Sequence, residues 1–248
     1  NRQMGNPANP AYVPELFLAY SDHMNFYERL VNTIVTTTEL LFNHFYVLRK
    51  QNEILQKYFP GAPDIYDLYY NTSLMLLNTH VSTNFPVPLV PNMIPIGGYH
   101  LNPPGKLPQD LQDYLDSASH GAIYFSMGSN LNSADMGEEK INAILKAFGK
   151  LKQKVLWKLE KDTLPGLPTN VKLATWFPQQ EILAHPNTKL FITHGGLLST
   201  IEAIYHGVPL ITIPIFGDQQ LNAANAVNGG YAVLVEYEKL NAEIGRAH

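Results

Sequence analysis

The chain of 248 residues has no cysteine. Disulfides and cysteine-ligated metal centres are thereby excluded, while the redox compartment stays open. It has no run of about 18 apolar residues, so no stretch reads as a membrane span. Charge is sparse, at 15% of residues with a formal net charge of -4. No basic stripe is found, and no basic residues interleave with the aromatics as a nucleic-acid platform requires. Signature motifs are missing too. There is no G-x-x-x-x-G-K-[ST] of a P-loop and no G-x-G-x-x-G of a nicotinamide fold. There is no G-x-S-x-G of an α/β-hydrolase. Nine histidines show no H-E-x-x-H and no ligand spacing, so neither a metal nor a resident cofactor is expected. Tryptophan is scarce, with only Trp157 and Trp176.

What is present is a core. Hydrophobic residues make up 45% of the chain, normal for a globular protein, and the length suits one large or two ordinary domains. The best-defined stretch is 174–226. Lys189–Thr193 has the length and branching of a buried strand. It stops at His194-Gly195-Gly196, and a helical pattern follows through Leu197, Leu198, Ile201, Ile204 and Tyr205. Gly207-Val208-Pro209 ends it, and a second apolar run, 210–216, leads to Gly217-Asp218-Gln219. This is strand, glycine turn, helix, strand: a βαβ unit of a parallel sheet.

The residues at that junction suit a phosphate. Glycines let the backbone approach a ligand, and the first turn of a helix has unpaired N–H groups and partial positive charge. Ser199 adds a hydroxyl and His194 a ring N–H. Glu202 lies three residues after Ser199 and shares its face; a carboxylate there suits a ribose diol. Asp218 and Gln219 fall just past the next strand, where open α/β sheets bind ligands, and suit sugar hydroxyls. Taken singly, each has a plainer reading: a bare turn for Gly195-Gly196, a solvated charge for Glu202, a helix N-cap for Asp218.

Along the rest of the chain, residues 1–20 read as loop, with Pro7, Pro10 and Pro14 opposing a helix. A helix is expected over about 22–57, capped at Ser21-Asp22 and weakened at Thr36-Thr37-Thr38. Its apolar positions include Phe26, Leu30, Ile34, Leu41 and Phe45. Asn71-Thr72-Ser73 is an N-glycosylation sequon, meaningful only in a secretory compartment. Leu74–Leu77 and Met93–Ile96 read as strands. Prolines crowd 85–108, and a domain boundary is placed near 105. Beyond it, strands are expected at Gly121–Phe125, Lys154–Lys158, Val171–Ala174 and Tyr231–Val235. Helices are expected from Leu107-Pro108 through Leu115, at Glu138–Lys150 and at Gln219–Val227. Strands and helices alternate, which indicates a doubly wound α/β sheet. His44, His80, His100, His120 and His206 read as ordinary helix or turn residues.

In combination the motifs are more specific than apart. Trp176-Phe177-Pro178-Gln179, Leu183-Ala184-His185-Pro186, Phe191–Gly196, Ser199, Glu202, Gly207-Val208-Pro209, Pro214, Asp218-Gln219 and Asn222 resemble the signature of the UDP-glycosyltransferases, the family of UDP-glucuronosyl- and UDP-glucosyltransferases. The match holds its spacing over roughly fifty residues. A weaker resemblance runs from Asn6-Pro7 to about Tyr237 and looks closest to the animal membrane-bound branch.

The resemblance implies a GT-B fold of two Rossmann-like domains, the first only partly present. On that reading, residues 1–104 are the end of an acceptor-binding domain and linker, and 105–248 the UDP-sugar-binding domain, truncated at its end. Trp176 would stack on uracil and Gln179 would contact the nucleoside. His194, the backbone near Gly196, and Ser199 would hold the pyrophosphate. Glu202 would bind the ribose, and Asp218 and Gln219 the transferred sugar. Gly128 and Ser129, in Phe125-Ser126-Met127-Gly128-Ser129, match the family's first glycine turn. Leu197 and Leu198 depart from the family pattern, as does Lys158, where arginine is common; lysine keeps the charge but loses the bidentate fork.

The implied reaction moves a hexosyl group from a UDP-sugar, a co-substrate, to a small lipophilic acceptor with inversion. The general base of relatives precedes the matched part, so no catalytic residue is named. The implied setting is the endoplasmic reticulum lumen with a membrane anchor, and the implied partners are donor, acceptor and related subunits. The chain reads as an internal fragment, its last residues, Glu243–His248, departing from the family. The alternatives are a truncated, non-catalytic UDP-sugar- or partner-binding fragment, and another nucleotide-sugar enzyme such as an epimerase or phosphorylase. The platform Trp176–Gln179 argues against a phosphorylase, which needs no uridine nucleotide.

Overall fold

A computed structural model describes residues 2–7, 9–129, 136–161 and 163–240. The chain divides into two compact units, Asn1–Tyr99 and His100–His248. Among the described residues no helix is long and apolar enough to cross a membrane.

In the first unit, helix α1 (Phe26–Phe42) runs through a π-helical stretch, Asn43–Val47, into α2 (Leu48–Tyr58). The start differs from the expected Ser21-Asp22. Asn25 and Glu28 form a reciprocal capping box: the Asn25 side chain accepts from the Glu28 N–H at 3.0 Å, and the Asn25 N–H donates to Glu28 Oε2 at 2.7 Å. Nor does the helix break at Thr36–Thr38. The propensity penalty of a threonine is only about 0.7 kcal/mol, and the irregularity falls at Asn43–Val47 instead, for which the local sequence offers no reason. Asn32, fully buried, accepts from Glu15 N and donates to the Pro10 and Val13 carbonyls, so it ties the proline-rich opening to α1. The apolar positions Phe26, Leu30, Ile34, Leu41 and Phe45 are exposed in this unit. A short helix, α3 (Ile65–Tyr70), is capped by Asp64, and β1 (Met75–Leu77) pairs in parallel with β2 (Met93–Pro95).

The second unit opens with α4 (Gln109–Asp116), then β3 (Ala122–Ser126), α5 (Glu138–Phe148), β4 (Lys154–Lys158) and β5 (Val171–Ala174). It continues with α6 (Gln179–Ala184), β6 (Thr188–Thr193), α7 (Leu197–Tyr205), β7 (Leu210–Thr212), α8 (Gln219–Asn228) and β8 (Ala232–Leu234). The six strands, all parallel, are ordered β5-β4-β3-β6-β7-β8. Counted within the unit this is 3-2-1-4-5-6, the Rossmann order, and it reverses between β3 and β6.

Two expectations need correction. Strands and helices do not alternate throughout: no described residue between β4 and β5 is helical, and Pro165, Gly166 and Pro168 in that stretch disfavour one. The apolar run 210–216 is strand only to Thr212. Its pairing carries on through Ile213 N to Thr193 O at 2.8 Å, and Pro214 has no N–H with which to continue.

The sheet buries both faces. Ile123, Phe125 and Met127 of β3 and its loop point to one side, where Trp157 stacks on Phe125 and Ile141, Ile144, Leu145 and Phe148 of α5 close the layer. Ala122 and Tyr124 point to the other, with Phe191, Leu111 and Leu115 of α4, and Ile182 and Leu183 of α6. The period of two in the strand and of three to four in the helices is thus the period of the core.

Candidate binding site at the carboxyl edge of the sheet

Where the order reverses, two glycine turns lie side by side. Ser126 of β3 pairs with Thr193 of β6, so the loop with Gly128 and Ser129 leaves the sheet beside His194-Gly195-Gly196. Gly128 has φ +80°, a conformation that disfavours any side chain, and its N–H donates to Ser126 Oγ at 3.2 Å. The His194 ring fills the corner between the turns. A Cβ on Gly128 would lie 2.6 Å from His194 Cε1, and one on Gly196 would lie 2.5 Å from His194 Nε2. Both glycines are therefore required for the ring to stand where it does, and its Nε2 edge opens between them.

Thr193 Oγ1 lies 3.3 Å from His194 Nδ1. If that hydroxyl donates, the ring proton sits on Nε2, toward the glycine corner. Burial pushes the imidazole below the usual histidine range, opposed by the Asp218 carboxylate, so at neutral pH the ring is uncharged. Gly196 caps α7 without a side-chain bond, which leaves the opening N–H groups of that helix with no helical acceptor. The corner thus joins a ring donor, glycine backbone and the positive end of a helix dipole.

One turn into α7, Ser199 and Glu202 share a face, and one side chain bridges them. Gln179 Nε2 donates to Ser199 Oγ at 3.0 Å and to Glu202 Oε2 at 2.6 Å. Glu202 is only 8% exposed. Its other oxygen accepts from Gln180 Nε2 at 3.4 Å and lies 3.5 Å from His100 Nε2.

Asp218 and Gln219 sit at the start of α8. Asp218 occupies the cap position, yet its side chain makes no capping bond. Asp218 Oδ2 instead accepts from Asn222 Nδ2 at 2.8 Å, while the same nitrogen donates to Gly195 O at 3.0 Å. Asn222 so ties the acid to the glycine turn. Gln219 is buried, its Oε1 accepting from the Ile215 and Phe216 N–H groups; the oxygen pins the loop after β7.

Trp176, 71% exposed in the loop after β5, presents an aromatic ring to solvent. Its neighbour Phe177 is buried edge-on against Tyr124. Ser129 is exposed, and Lys158 is buried at the end of β4 in an ion pair with Glu160. Sequence reasoning missed α6, and with it Gln180, and it set His100 aside as ordinary. The missed signal was Pro178 ahead of Gln179, then Glu181 in a first turn and the apolar pair Ile182-Leu183. Among the described residues no cluster could hold a metal ion.

Comparison with known proteins agrees with this architecture. The family model described as "UDP-glucoronosyl and UDP-glucosyl transferase" matches residues 1–244. The chain is 45% identical to the UDP-glycosyltransferase UGT5 of Dactylopius coccus, over 98% of this chain and 46% of that protein. It is 39% identical to the 2-hydroxyacylsphingosine 1-beta-galactosyltransferase of Rattus norvegicus, over 95% and 43% respectively. It spans about half the length of the curated relatives it matches. The fold is that of GT-B glycosyltransferases, as in the glycotransferase of kitacinnamycin (TM-score 0.62, 20% identity, 90% of this chain and 58% of that one). A UDP-glucose: anthocyanidin 3-O-glucosyltransferase in complex with UDP also aligns (TM-score 0.55, 21% identity, 73% and 46%). By its sequence, the chain belongs to the UDP-glucuronosyl and UDP-glucosyl transferase family.

Proposed function

We propose that the second unit is the donor half of an enzyme that moves a hexosyl group from a UDP-sugar to a small lipophilic acceptor with inversion, and that the first unit belongs to the acceptor side. The observation that carries the reading is the corner between Gly128 and Gly196, into which His194 Nε2 opens beside the N-terminus of α7. It suits a diphosphate in polarity and in position, at the point where the strand order reverses.

In this reading the nucleotide lies along the carboxyl edge of the sheet. Trp176 stacks on uracil and Gln179 contacts the nucleoside. Glu202 takes the ribose hydroxyls. His194, Ser199, and the turns at Gly128-Ser129 and Gly196 hold the diphosphate. Asp218 and Gln219 meet the transferred sugar. As the glycosidic bond to phosphate breaks, charge grows on the leaving UDP, and preorganised donors lower the barrier by meeting it there. His194 acts as a hydrogen-bond donor to the diphosphate rather than as the base, because its Nε2 edge faces the glycine corner. The roles assigned here are all on the donor side, so nucleotide binding is the readout suited to this chain. We place the whole protein on the lumenal side of the endoplasmic reticulum membrane. Its sequon Asn71-Thr72-Ser73, with Asn71 exposed, suits that setting.

The two tryptophans supply the test. Trp157 is fully buried and Trp176 is exposed. Titration with UDP should quench tryptophan fluorescence saturably in the folded chain, and Trp176→Phe should abolish the change. Quenching that persists in the variant, or a folded chain that does not respond, would overturn the placement of the uridine.

A further inference from the structure

Gln180 stands next to a residue already assigned to the nucleoside, yet its own contacts are different. Its Nε2 donates to Glu202 Oε1 at 3.4 Å and to the His100 carbonyl at 3.4 Å, while its Oε1 accepts from the Asn102 N–H at 3.1 Å. Next along α6, Glu181 Oε1 accepts from the Gly105 N–H at 3.3 Å. One short helix so fastens the opening segment of the second unit, 100–105, and reaches the buried Glu202 carboxylate at the same time.

The geometry points to Gln180 as a positioning residue that fixes how Glu202 presents its carboxylate to a ribose. A carboxylate has two oxygens and about four lone-pair directions. Gln179 occupies one direction on Oε2 and Gln180 one on Oε1, with the His100 ring near the second oxygen. An amide on each oxygen restricts rotation about the terminal torsion, which is otherwise broad. With Gln180 and the His100 ring both at Oε1, the direction that remains on Oε2 then suits a ribose hydroxyl. The bonds of the Gln180 side-chain amide to the backbone of His100 and Asn102 hold it in place, so the orientation is built into the fold rather than formed by the ligand. This inference rests on Glu202 being the ribose ligand, as proposed above, and adds a residue to that site.

The test separates the two claims. UDP and its 2′-deoxy counterpart are titrated into the wild-type chain and into Glu202→Ala and Gln180→Leu, with folding checked by circular dichroism. A hydrogen bond to a charged group is expected to favour the ribonucleotide by about tenfold or more. Glu202→Ala should erase that preference. Gln180→Leu should cut it by about threefold or more, since a carboxylate free to rotate meets the hydroxyl less often. A merely structural role would weaken both nucleotides alike and leave the ratio unchanged, which would overturn the inference about Gln180. A ratio unaffected by Glu202→Ala would sink the ribose assignment itself, and the Gln180 proposal with it.

Discussion

Replacement of Gly196 by alanine isolates the glycine corner from every other property of the fold. Gly196 has φ -63° and ψ 139°, a backbone any residue adopts, so the substitution carries no conformational strain. At such a site alanine stabilises by about 0.4–1 kcal/mol through the unfolded chain. Against this, the new Cβ would stand 2.5 Å from His194 Nε2, and the ring must turn away. Driving it about 30° off its rotamer costs about 0.5–1.5 kcal/mol. Alanine is also a poorer helix N-cap than glycine, so the net should be a loss of about 1 kcal/mol, which lowers the melting temperature by about 2–4 °C for a chain of this size. Binding should not be spared. A hydrogen bond to a charged phosphate contributes about 1.5–3 kcal/mol, so a displaced donor should weaken UDP about ten- to hundredfold. Uridine, which has no phosphate, should bind Gly196→Ala as it binds the wild type. Isothermal titration with UDP, and competition with uridine, measure both. Unchanged UDP affinity in a folded variant, or an equal loss for uridine, would refute the assignment of this corner to the diphosphate.

Two further predictions follow from the same geometry. His194 is held below the usual histidine range by burial, whereas in the unfolded chain it titrates near pH 6.5. Below about pH 6.5 the unfolded state therefore binds the extra proton, and stability falls as the pH drops toward the folded value. Denaturant midpoints measured from about pH 7.5 to 5.5 should show that slope in the wild type and a flatter one in His194→Gln; equal slopes would contradict it. Asn170 Nδ2 donates to the carbonyls of Phe148, Leu151 and Gln153, none of which is among the proposed nucleotide contacts. Asn170→Ala should lower stability by about 1–3 kcal/mol while leaving UDP affinity unchanged, and a change in affinity would contradict its purely structural part.

Much of the second unit was legible in its sequence because local and global signals agree there. Lys154–Lys158 and Val171–Ala174 are strands with the bounds read from their apolar, branched residues. The turn at His194–Gly196 and the helix after it fall where glycine and period place them. The errors arose where side-chain bonding outside the apolar period decides the outcome. Asn25 starts α1 through a capping box with Glu28, and Ser21-Asp22 does not. The six-residue α6 is too short for a period to emerge, so Gln180 went unseen. The shared face of Ser199 and Glu202 was readable from a three-residue spacing, but the side chain that joins them lies twenty residues or more away, on α6. Asp218 shows the reverse: position alone made it a cap, and only the structure turns its carboxylate to Asn222.

The adjacent pair Trp176 and Phe177 divides two duties between two rings. Phe177 is buried against Tyr124 and locks the loop after β5 to the core, while Trp176 stands out in solvent. The fold therefore draws little from the outer ring, and its identity is free to change without loss of the scaffold. On the proposed reading, that separates evolvability from stability at the base-recognition position. A lineage, or a designer, can trade the indole for another flat or polar group and explore other nucleotide donors, while Phe177 keeps the loop in register.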